Sequence, residues 1–161
     1  MFTDGMRIAD DSNPEGYYEA DLVKDLAKRN SWFSDCDGQV VKVVAPLLQY
    51  LPRNIKYKVI FMERSIHQVM SSQSKMLERM GQQQTAEEAE ALGLAFRHQV
   101  ITALGLLNYH DIPTLRVAYP DVIATPEKVC VTIHKFLGGE LDLDAMSTAV
   151  RPSLFREQQK T

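Results

Sequence analysis

No apolar run in this sequence reaches the roughly 20 residues that a bilayer-crossing helix needs, so no segment reads as a membrane span. Cysteine is nearly absent: Cys36 and Cys130 stand far apart, with no second Cys or His at metal-ligand spacing. They read as free thiols of a reducing compartment rather than as a disulfide or a metal site. Positive charge is not in excess, with 18 Lys and Arg against 21 Asp and Glu and a net charge of -3. That balance argues against general nucleic-acid binding. The opening residues, Met1 to Gly5, carry neither a basic nor an apolar leader, and the expected location is cytoplasmic. Internal repeats, low-complexity tracts and any glycine cluster of the phosphate-loop kind are missing too. What remains is ordinary globular material: 161 residues, 45% hydrophobic and 24% charged. It is read as one domain, residues 1–161, able to bury a core without staples.

Residues 1–20 are polar and turn-rich, with the breaker cluster Asp10-Asp11-Ser12-Asn13-Pro14-Glu15-Gly16. Leu22, Val23, Leu26 and Ala27 share a face if 19–30 is a short helix. Residues 31–38 read as a loop. The β-branched run Gln39 to Val44 predicts a buried strand that Pro46 stops. Tyr57 to Met62 is the clearest strand, apolar enough for a parallel strand covered on both faces. Ser65 with Gln68 forms a capping box for a helix whose stripe is Ile66, Val69, Met70, Met76, Leu77 and Met80, ended by Gly81. Thr85 with Glu88 caps a long helix to about Asn108, with Leu92, Phe96, Val100, Ile101, Leu104 and Leu107 expected on its apolar face. A third strand follows at 112–119. Thr125-Pro126 then opens a helix that Gly138-Gly139 closes, and a short helix covers 143–150. This order predicts an α/β domain with a parallel sheet wrapped by helices.

Ligands of such sheets sit off the carboxyl ends of the strands. There Arg64 follows a strand and precedes a helix that carries Ser72 two turns in. A guanidinium fork, a serine hydroxyl and the positive end of a helix suit a phosphate or sulfate. The plainer alternative pairs Arg64 with a surface carboxylate such as Glu63. His67, His98, His110 and His134 show no metal spacing, so no metal is expected. Asp10 and Asp11 are either a base in an acceptor pocket or a solvated turn. The Met70, Met76, Met80 stripe reads as core.

The segment Tyr57 to Gln73, a strand, then Arg64, then Ser72 eight residues later, resembles the 3'-phosphate-binding segment of PAPS-dependent sulfotransferases, where PAPS is 3'-phosphoadenosine 5'-phosphosulfate. Lys42 to Pro52, Leu115 to Tyr119, Thr125-Pro126 and Phe136-Leu137-Gly138 resemble further segments of that family, in the same order. Asn13 to Glu19 and Pro152 to Arg156 are similar to segments of its bacterial branch. The resemblance implies a three-layer, P-loop NTPase-like parallel sheet flanked by helices. It also implies that Arg64 and Ser72 bind the 3'-phosphate of PAPS or its product PAP. Full-length members transfer a sulfuryl group to a hydroxyl or amine.

The departures are specific. The family's first strand and its phosphosulfate-binding loop are missing, and the chain reads as truncated at its N-terminus. Val44-Ala45-Pro46 stands where many members carry a catalytic His, and the C-terminal Arg-Lys-Gly motif is absent. The catalytic residues are therefore unknown, and the chain is expected to be inactive alone. In related P-loop folds that strand sits between the strands corresponding to 40–44 and 57–62, so its loss would expose sheet edges; the expectation is that these two strands close up or that another chain fills the gap, as a homo-oligomer. The alternatives are a non-catalytic oligomeric interaction module and a fragment of a P-loop kinase-like transferase.

Overall fold

The computed structural model describes residues 1–3, 9, 16, 18–79 and 81–154, and the chain forms two compact units. The first comprises Met1–Lys56 with Gln99–His110, and the second comprises Tyr57–His98 with Asp111–Thr161. The Asp10–Asp11 turn, Met80 and Phe155-Arg156 lie outside the described residues, as does most of the Asn13–Glu19 segment.

Short 3₁₀ helices dominate the first unit, at Asp21–Asp25, Ser31–Cys36 and Ala45–Tyr50. Val23, Leu26, Phe33, Cys36, Leu48 and Leu51 are buried in it, with Ala103 and Leu107 from the end of the long helix. The segment expected as a loop is thus helical at Ser31–Cys36. Its helix is too short to show a hydrophobic period, and the Ser34 hydroxyl ties it by donating to the Ser31 carbonyl at 2.8 Å. The expected helix at 19–30 shrinks to one 3₁₀ stretch.

The strand expected at 39–44 does not form. Its backbone is extended at Val44 (φ −75°, ψ 145°), as β-branched side chains prefer. Extension alone makes no strand, because a strand needs a hydrogen-bonded ladder. Here Val40 accepts one bond from the Phe2 amide, no ladder forms among the described residues, and Val40 and Val44 stay about half exposed.

The second unit is mixed α/β. Its strands β1 (Val59–Glu63) and β2 (Thr114–Ala118) pair in parallel, Val59 with Thr114 through Glu63 with Ala118. Among the described residues the sheet has these two strands. Phe61, Val117 and Cys130 are buried, whereas Met62 is 48% exposed, so β1 is not covered on both faces as expected. Successive side chains of β1 alternate sides, with Phe61 buried on one and Met62 exposed on the other.

Helix α1 (Ile66–Arg79) and helix α2 (Ala86–Tyr109) connect the strands. The Gln68 amide donates to Ser65 Oγ at 3.2 Å, as the first capping box predicts. The second box closes reciprocally: Glu88 N donates to Thr85 Oγ1 at 3.2 Å and Thr85 N donates to Glu88 Oε2 at 2.8 Å. Gly81 ends α1 at φ +71°, a conformation that favours glycine. At Gly93 of α2 a Cβ would lie 3.8 Å from Met70 Sδ, so α1 approaches α2 there. Ile101, expected on the apolar face, is 70% exposed. It sits two residues from buried Ala103, about 200° around a helix, and so points the other way.

After β2 come α3 (Tyr119–Ala124), α4 (Pro126–Leu137) and α5 (Leu143–Thr148). Helix α3 was not anticipated; Pro120 in its first turn suits a helix start. Thr125 does not cap α4. Its hydroxyl donates back to the Asp121 carbonyl at 3.2 Å, in the last turn of α3. Gly138 and Gly139 do close α4, both amides donating to the His134 carbonyl. Asp142 caps α5, accepting from Ala145 N at 2.9 Å. No described helix is long and apolar enough to cross a membrane.

Candidate functional site

Parallel pairing brings the carboxyl ends of β1 and β2 to one edge, since Glu63 stands opposite Ala118. The next residue on each strand is therefore a neighbour across that edge: Arg64 after β1 and Tyr119 after β2. The Arg64 guanidinium lies over the Tyr119 ring, its Cζ 4.7 Å from the centroid. A cation over an aromatic face is an attractive arrangement.

Glu63 does not pair with Arg64. It accepts from Arg116 instead, with Nη2 at 2.6 Å and Nε at 2.8 Å, both on Oε1. Arg116 stands opposite Phe61 in β2, so its side chain runs forward along the sheet to reach Glu63. The pair is solvent-facing and contributes little to stability. Its effect at the edge is to engage the carboxylate of the residue that precedes Arg64. Arg64 makes no ion pair among the described residues, and the expected alternative of an Arg64–Glu63 pair does not occur.

Ser65 and the first turn of α1 complete the edge. Gln68 N is satisfied by Ser65 Oγ, while the amides of Ile66 and His67 take no acceptor among the described residues. These orphan donors and the helix dipole favour an anion. Ser72 is exposed on α1. Seven residues beyond Ser65, it lies on nearly the same helix face and about 10 Å farther along the axis. No hydrogen bond joins Ser72 to Arg64; the two expected ligands share a strand-to-helix junction without touching.

Arg116 also lines a depression of about 290 Å³ with Asp121, Thr125, Lys128 and Thr132. Neither Arg64 nor Ser72 lines it. Burial pushes the Cys36 and Cys130 thiols above their ordinary range, with Asp35 and Glu127 adding to the effect, so neither is an activated nucleophile. Among the described residues no group of His, Cys, Asp or Glu could hold a metal ion. His110 meets Arg53, and His134 carries a buried, unpartnered Nδ1 at the end of α4. The partnership of Arg64 with Tyr119 could not be seen in the sequence, because it depends on cross-strand register.

No protein-family model, curated protein or solved structure matches this chain.

Proposed function

We propose that this chain is a PAPS-dependent sulfotransferase relative, with a P-loop NTPase-like three-layer arrangement, that binds the 3'-phosphate end of PAPS or PAP through Arg64 and Ser72. One observation carries the proposal: Arg64 stands at the carboxyl edge of a parallel sheet, at the start of α1, with the carboxylate of its sequence neighbour Glu63 already paired to Arg116. An arginine so placed can receive an anion, and the orphan amides of α1 favour the same ligand. The order of motifs around it supplies the nucleotide class. No glycine-rich loop for the transferring sulfuryl group occurs in these 161 residues, so binding rather than transfer is assigned to them. The proposed setting is cytoplasmic.

Titration calorimetry with 3',5'-adenosine bisphosphate tests this. Binding is expected, with adenosine 5'-monophosphate markedly weaker. Arg64→Ala should weaken it by about ten- to a hundredfold, the worth of a charged hydrogen bond, and Ser72→Ala by about three- to tenfold. Equal affinity for the two nucleotides would remove the 3'-phosphate assignment.

A second proposal has its own observation. Both outer edges of the β1–β2 sheet lack a strand partner among the described residues, and such edges recruit other strands. The chain would then act as a homo-oligomeric interaction module.

A further inference from the structure

Resting on the nucleotide-binding proposal above, we infer that Tyr119 is a positioning residue that holds Arg64 flat at the sheet edge, so that the anion is accepted edge-on by the guanidinium fork. Arg64 is exposed and carries a long, flexible side chain. Left alone, it would sample many rotamers, and ordering it on binding would cost affinity. Tyr119 removes much of that cost in advance. It is half-buried and fixed twice, as the residue that ends the β2 path and as the first residue of α3, where Pro120 restricts the backbone. The Arg64 Cζ lies over the Tyr119 ring, 4.7 Å from its centroid, so the ring holds the guanidinium from one side. A guanidinium so held keeps its planar fork of N–H donors in one place, the geometry that matches two oxygens of a phosphate. The Arg116–Glu63 pair contributes by keeping Glu63 from pulling Arg64 off the ring. Tyr119 thus acts through Arg64 and needs no contact with the ligand.

The ring is the working part, so Tyr119→Phe should keep the effect and Tyr119→Leu should remove it. Two measurements on the full chain separate the inference from the nucleotide proposal. In the ligand-free protein, NMR should show the Arg64 δ and ε protons shifted upfield by the ring, in wild type and Tyr119→Phe alike, with the shift lost in Tyr119→Leu. In calorimetry with 3',5'-adenosine bisphosphate, Tyr119→Phe should bind within about twofold of wild type, and Tyr119→Leu about three- to tenfold more weakly. An upfield shift in a wild type that binds no nucleotide would uphold the stack and overturn the ligand. Absence of the shift, or Tyr119→Phe binding as weakly as Tyr119→Leu, would overturn the positioning role. Tyr119→Phe is the milder change, and it keeps the test decisive should Tyr119→Leu fold poorly.

Discussion

Tyr57 precedes β1 in the second unit, and burial pushes its phenol up to about 12 from an ordinary 10.0. The sign of the consequence follows from proton binding. Between those two values the folded state keeps the phenol proton while the unfolded chain releases it, so stability falls as pH rises. Below pH 10 the contribution is complete; it is lost through about pH 12. Replacing Tyr57 by Phe should flatten this part of the stability profile, read as the urea midpoint at pH 8 against pH 11. An equal loss of midpoint in both proteins would show that the phenol does not contribute. The two buried thiols are common to both proteins and cancel from the comparison.

Helix ends are where the sequence was most legible. The Thr85–Glu88 box, the Ser65 cap, Gly81 and the Gly138–Gly139 pair all sit where their local chemistry requires, because each acts over three or four residues. Thr85→Ala removes the acceptor for Glu88 N and should cost about 1 kcal/mol, lowering the melting temperature by about 2–4 °C. Thermal unfolding followed by circular dichroism checks this, and Thr85→Ser should restore most of the loss. Legibility failed where an element depends on a distant partner. The valines at 40–44 declared an extended backbone but could not supply a neighbouring ladder. Arg64 could be read as an anion ligand, yet its support by Tyr119 and the diversion of Glu63 to Arg116 needed the register of two strands. The 3₁₀ stretches at Ser31–Cys36 and Ala45–Tyr50 were not legible for a different reason: six residues carry too little of a period.

For the whole molecule, the open sheet edges bear on assembly. If they are used, light scattering coupled to size exclusion should report the mass of two or more chains. Met62, 48% exposed on β1, is the natural place to test it, since a lysine on an edge strand deters pairing. Met62→Lys should shift the population to single chains without lowering the helical signal. A wild type that elutes as a single chain at high concentration would remove the oligomeric proposal.

The parallel register also governs how the chain reaches its fold. Val59 meets Thr114 only after both long helices have been spanned, so β1 has no local partner during synthesis. Closing so long a loop is an entropic cost met before any ladder bond forms, and pairings of this kind fold slowly. Helices α1 and α2 can gather first, their caps being local, while β1 waits as an apolar, unpaired segment. The slowest step is therefore expected to be the one that creates the edge on which Arg64 and Tyr119 meet.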